Sequence, residues 1–301
     1  ITDYGSRITD YGSRTTDSSM ISRETVWTEI WPVVERLIAA TAAADAAAMA
    51  RELAPEGQAA GLLDLFGPAV FSILLKTVLG RAQLGVARAV ETENGRFVHL
   101  EFVWPDPAAP DSRYTAADLV SVTLTRPADR WLVFDVNPAS LERPLTSLRA
   151  RGILAAGSRP DDDAPAPPWM LPLALVAGSL QLPPRPEALR DAVEALLLPG
   201  LQARGYGAVA QLRGRQMWRD FVAAVSPEVT ADRPAAWAAA AEFVIAGQTL
   251  REQTQAAAAR AYGVNLGSIL PRIRQLRQAL RLEGVDPRYS DLHATQIVYQ
   301  T

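Results

Sequence analysis

From Glu24 onward, Val26, Ile30, Val33, Val34, Leu37 and Ile38 recur at spacings of three and four and so share one helical face. Pro32 interrupts that stripe and is best tolerated if the regular helix begins near it. An alanine-rich run predicts helix onward to Leu53, where Pro55 and Gly57 break it. A second helical stretch is predicted over Ala59 to Phe66, and a third from Pro68 to Leu79 with Gly80 just beyond its end. The period then falls to two. Ala82 to Thr92 and Phe97 to Trp104 flank Glu93-Asn94-Gly95, a strong hairpin signal, and Leu119 to Thr125 pairs with Trp131 to Val136 across Pro127-Ala128-Asp129. Farther on, helices are predicted at Trp169 to Leu180, Pro186 to Leu198, Trp218 to Val225, Ala235 to Ala246, Arg251 to Tyr262 and Ser268 to Leu282.

These patterns predict an α+β N-terminal domain over residues 20–140, with helices covering one face of a curved antiparallel sheet. Residues 141–168 are expected to be a linker, ending in the proline- and aspartate-rich tract Ser158 to Pro168. Residues 169–290 are expected to form an all-α domain, and 291–301 a tail. The opening is different in kind: ITDYGSR at Ile1 to Arg7 is repeated letter for letter at Ile8 to Arg14. Without apolar periodicity this tandem repeat cannot build a core, so residues 1–19 read as tag-like and Met20 as the expected natural start. The order of helices and strands, down to the closing stretch Arg130 to Pro138, resembles the NTF2-like (SnoaL-type) cone fold. That resemblance implies a domain that pairs with a second copy or encloses a small ligand.

The most informative stretch is Gln253 to Leu282. A helix-turn-helix needs a small residue where its helices cross, and Ala259 supplies it; four positions later Gly263 tolerates a positive φ, and Val264 plugs the space behind the turn. Ile269, Ile273, Leu276 and Leu280 then mark the buried side of a second helix. The opposite side presents Ser268, Arg272, Arg274, Gln275, Gln278 and Arg281, side chains suited to phosphate oxygens and base edges. Pro271 fits that helix if Ser268 is its N-cap, so a turn over Gly263 to Gly267 and a helix beginning at Ile269 are predicted. With the small-residue run Pro234 to Ala246 and Asp286 to Tyr289, residues 218–290 resemble the second cyclin-type repeat of transcription factor IIB and bacterial helix-turn-helix proteins that end in such a module. The resemblance implies binding of duplex DNA or of a protein partner, and no catalysis. Trp218, Phe221, Trp237 and Phe243 read as core anchors.

Composition narrows the chemistry. The chain has no cysteine and only His99 and His293 as histidines, which removes thiol chemistry and argues against a histidine-based metal centre. Net charge is −3, yet Arg204 to Ser290 holds twelve arginines against seven acidic residues, so the basic character is focused near one end. Lys76 is the only lysine, a bias read as coding composition. No run reaches the roughly 18 apolar residues of a membrane helix, and no signal pattern opens the chain, so the cytoplasm is the expected location and no membrane partner is expected.

No phosphate loop, nucleophile elbow or zinc spacing is present, and no cofactor is expected. On the strand from Phe97, His99 and Glu101 share a face opposite Val98, Leu100, Phe102 and Trp104; the latter set is the better core face. His99, Glu101 and Asp135 are therefore the residues to examine for a pocket on the sheet. The run Asp161-Asp162-Asp163 reads as solubilising charge in the linker. The expectation is a DNA-associated regulatory protein whose first domain dimerises or senses a ligand. The alternatives are a protein-interaction adaptor using the helical module, and a small-molecule binder or enzyme centred on the first domain.

Overall fold

A computed structural model describes residues 21–75, 78–80, 84–92, 96–106, 109–115, 121–137, 182–225 and 232–291. The chain divides into two compact units, Ile1–Leu173 and Ala174–Thr301. The expected linker over 141–168, the helix expected at 169–180, the repeat at 1–19 and most of the tail lie outside the described residues. Among the described residues no helix is long and apolar enough to cross a membrane.

In the first unit a helical turn at Arg23–Thr25 leads into a π-helical turn at Val26–Ile30 and then α1, Trp31–Ala42. Pro32 sits in the first turn of α1, where its missing N–H costs little, and the wider π turn just before it absorbs the change in pairing. Of the predicted stripe, Val26, Ile30, Val33, Val34 and Leu37 are buried, and Ile38 is half-buried. The alanine run does not continue as one helix. Ala44 takes a positive φ of 52°, and the Asp45 carboxylate accepts from the Ala48 N–H to cap α2, Ala46–Glu52. The positive φ of Ala44 ends one helix, and an aspartate inside the run of alanines starts the next. Arg36 clamps Glu52 through two hydrogen bonds of 3.0 Å, tying α1 to α2.

Helices α3, Gln58–Phe66, and α4, Ala69–Leu74, follow, the latter five residues shorter at its end than its pattern predicts. Five strands come next: β1 Gly85–Thr92, β2 Phe97–Asp106, β3 Ala109–Thr115, β4 Ser121–Thr125 and β5 Leu132–Asn137. They form one antiparallel sheet in the order β1-β2-β4-β5, with β3 paired to β2 off that path. Val103 pairs with Gly85 of β1 and with Thr115 of β3, so β3 lies along the edge of β2 opposite β1, the edge whose other half β4 occupies. Periodicity does not predict β3, because APDSRYT has no alternating apolar set.

The core face of the sheet carries Val98, Leu100, Phe102, Val122, Leu124, Val133 and Val136, each no more than 1% exposed. Trp31 of α1 meets Phe102 edge-on at 6.2 Å. Val133 and Val136 both belong to this face although strict alternation would separate them. A register shift between Thr123 and Leu124 inserts Phe134 as an extra residue, which keeps both valines inside and turns Asp135 to the other face. The loop between α2 and α3 seats on the same strand: Ala54 N–H donates to the Val133 carbonyl at 2.8 Å. At Gly57 a Cβ would come within 2.3 Å of the Phe134 carbonyl oxygen, so only glycine permits that approach.

The second unit is helical: α5 Ala192–Ala203, α6 Ala208–Ala224, α7 Pro234–Gln248, α8 Gln255–Ala261 and α9 Leu266–Leu280. The helix predicted from Pro186 is only a 3₁₀ turn at Pro186–Ala188, and α5 starts after Asp191, whose carboxylate accepts from the Val193 and Glu194 N–H groups at 2.8 Å. Helix α6 starts ten residues earlier than the predicted Trp218, because Gln211 and Arg215 lie on its buried side and mask the apolar stripe. Six consecutive residues of α7, Ala236 to Ala241, are at most 1% exposed, which makes it the central helix of this unit. Trp218, Phe221 and Trp237 form an aromatic cluster with ring centroids 5.1 to 5.9 Å apart. Phe243, the fourth expected anchor, is only half-buried.

Candidate nucleic-acid interface

Thr254 caps α8 by accepting from the Ala257 N–H at 3.1 Å, and Ala258 and Ala259 bury against the rest of the unit. Four residues, 262–265, join α8 to α9. Within them Gly263 has φ +65°, and the Val264 N–H donates back to the Ala259 carbonyl at 3.0 Å. An added Cβ at Gly263 would meet nothing within 4 Å, so only the left-handed backbone resists a side chain there. Gly263→Ala is expected to lower stability by about 1 kcal/mol. Gly267→Ala should do the opposite: Gly267 lies inside α9, its added Cβ would touch only Asn265 Oδ1 at an ordinary 3.5 Å, and alanine favours helix by about 1 kcal/mol. Thermal melts of the two variants should shift in opposite directions.

The start of α9 corrects the prediction. Asn265, not Ser268, is the N-cap, accepting from the Ser268 N–H at 2.8 Å, while the Ser268 hydroxyl donates to the Asn265 carbonyl at 2.7 Å. The helix therefore begins at Leu266 rather than Ile269, and Pro271 lies inside it at the sixth position. Proline has no N–H there for the Gly267 carbonyl. The asparagine cap and its reciprocal serine bond fix the first turn before the proline is reached. Ile269, Ile273, Leu276 and Leu280 are buried as their spacing implies.

Of the six side chains expected to face a duplex, two turn inward. Arg272 is 11% exposed: its guanidinium donates to the Ser268 carbonyl at 2.7 Å and to Asp232 at 3.1 Å, and lies 5.0 Å over the Trp237 ring. It fastens α9 to α7 instead of projecting outward. Ser268 is half-buried and engaged in the cap. The other four, Arg274, Gln275, Gln278 and Arg281, are exposed, and among the described residues none of their side chains has a hydrogen-bond or ion-pair partner. Arg281 ends the helix in the left-handed region at φ +55°.

Beneath this surface lies a polar hub that sequence reasoning missed. Glu242 of α7 is fully buried and accepts two hydrogen bonds from Arg204, one from the Tyr262 hydroxyl at 2.7 Å and one from the Gln253 amide at 2.8 Å. The hub joins the end of α5, the middle of α7, the segment before α8 and the residue after it. Burial, followed by the Glu242 charge, pushes the Tyr262 hydroxyl well above the ordinary tyrosine range. Burial opposes the charge on Arg204, but its hydrogen bond to Glu242 and the neighbouring Tyr262 outweigh that and raise it. One signal for the hub was visible: Glu242 is the only charged residue in the sequence of α7. A second buried carboxylate, Glu194, is held by Arg219 at 2.6 and 3.0 Å.

The far end of α9 is also fastened. After Leu280 the chain turns back: Gln248 donates to the Gly284 carbonyl at 2.9 Å and accepts from the Asp286 N–H at 2.6 Å. Fully buried Tyr289 donates to Asp220 of α6 at 2.9 Å.

In the first unit, His99 and Asp135 fall on the sheet face opposite its core. His99 of β2 and Asp135 of β5 both register with Thr123 of β4. His99 Nδ1 lies 2.8 Å from the Thr123 hydroxyl, and Asp135 accepts from Gln58 at 2.9 Å. Thr123 stands between His99 and Asp135 in the register, so the three form a row across three strands. The side chain of Glu101 lies outside the described residues; its backbone pairs with Ser121 and Arg88. Among the described residues no three His, Cys, Asp or Glu side chains gather to hold a metal ion. No family model, no curated protein and no solved structure matches the chain.

Proposed function

We propose that this chain is a DNA-associated regulatory protein that binds duplex DNA through α8 and α9, used as a helix-turn-helix. The observation that carries the reading is the outward face of α9, where Arg274, Gln275, Gln278 and Arg281 stand exposed without partners among the described residues. Their helix is anchored along its other side by four buried apolar residues and fastened by Arg272. A rigid helix with an uncommitted basic and amide face suits phosphate contact and base-edge pairing, since its donors are not spent within the protein. The first unit is read as a cone-like, NTF2-like domain that pairs two copies or senses a ligand. The polar row of His99, Thr123 and Asp135 supports a ligand role, and pairing would raise the affinity of a weak single module.

The test is binding to random-sequence duplex DNA at several salt concentrations, comparing the full chain with an Arg274→Ala, Gln278→Ala, Arg281→Ala variant. Affinity should fall with salt, and the variant should bind more weakly with a salt slope reduced by about 2, one for each arginine that no longer neutralises a phosphate. Arg272→Ala belongs in the same series as a contrast, with loss of stability expected as its main effect. No binding by the unaltered chain at low salt would sink the DNA reading.

A further inference from the structure

The exposed stripe of α9 changes chemistry along its length. Arg274, Gln275 and Gln278 occupy its third turn onward, but its first two turns expose Gly267 and Pro271, flanked by Leu266, 42% exposed, and half-buried Leu270. None of these four carries a hydrogen-bonding side chain. Such a surface gains nothing against the donors and acceptors of base edges and displaces their water. The major groove offers one apolar group that it can meet favourably, the C5-methyl of thymine. The basic side chains continuing the same stripe favour a polyanion over an apolar protein partner as the occupant.

Resting on the DNA reading above, we propose that the start of α9 reads thymine methyl groups through Leu266, Leu270 and Pro271. Arg274, Gln275 and Gln278 make the polar contacts one to two turns farther along. Pro271 contributes a ring already fixed in shape, so contact costs it no rotamer freedom. Gly267 has no Cβ to hold the backbone away from the groove, and nothing packs closely where one would project. The recognised sequence is accordingly divided, a thymine-bearing step beside a step read by hydrogen bonds.

Uracil is thymine without the methyl, which gives a direct test. The full chain is used to enrich binding sequences from a random-sequence duplex pool, and the enriched pool is copied once with dTTP and once with dUTP. The thymine copy should bind about fourfold more tightly for each methyl contacted, the effect of burying one such group. A Leu266→Asn, Pro271→Gln variant, which keeps only Leu270 of the three, should lose most of the preference for the thymine copy while keeping its salt dependence. Both substitutions fall at exposed positions, and the comparison with the unaltered chain stands even if the variant does not fold. Equal affinity of the unaltered chain for the two copies, or binding without enrichment of any sequence, overturns the thymine proposal and leaves DNA binding in place. Absence of binding to every duplex overturns both.

Discussion

Trp237→Ala should destabilise the second unit by about 3–5 kcal/mol, the range for removing a buried aromatic side chain and leaving its volume empty. Trp237 is 1% exposed and packs at 5.9 Å from Trp218 and 5.1 Å from Phe221, so removing the ring deprives two neighbours of a partner. It projects from α7, where the surrounding alanines have no side-chain length with which to fill the space. The same ring supports the Arg272 guanidinium, and without it the arginine keeps, among the described residues, Ser268 and Asp232. Denaturant unfolding followed by circular dichroism gives the loss of stability. Trp237→Phe should recover part of it, because a smaller ring still fills some of the cavity. A loss below about 1 kcal/mol for Trp237→Ala would mean that the three rings do not share a core.

Arg204→Met should cost about 3 kcal/mol, the lower end of the range for breaking a buried ion pair. The substitution leaves Glu242, with no exposed surface, carrying a charge whose cation partner is gone. Tyr262 and Gln253 still donate to it, and part of Arg204 is exposed, which keeps the cost at the lower end. The double replacement Arg204→Met, Glu242→Leu should be less damaging than Arg204→Met alone, since it removes the stranded charge as well as its partner. Urea unfolding midpoints of the three proteins decide the matter: a double variant no better than the single would show that the pair is not the source of the effect. The hub ties the residues on both sides of α8 to α5 and α7, so its loss should also weaken DNA binding, though every exposed residue of α9 is untouched.

The sequence by itself determined the larger pattern of this protein. Periodicity of three and four located α1 and the buried side of α9, a run of small residues located α7, and alternation located β1, β2, β4 and β5 with the core face of β2. The need for a positive φ located the turn at Gly263. These features are local: the spacing of apolar positions and the allowed dihedrals of a glycine act within a few residues. The tertiary structure decided what depends on partners distant in sequence. Strand β3 exists because β2 offers it a free edge, and Phe134 is extruded so that two valines can share one core. Helix α6 hides Gln211 and Arg215, and α9 turns Arg272 inward onto Trp237 and Asp232. A polar side chain is legible as a surface residue only while water is its best partner. Where a carboxylate, a carbonyl or an aromatic ring is brought within reach by folding, that partner replaces water, and no pattern of neighbours along the chain records it.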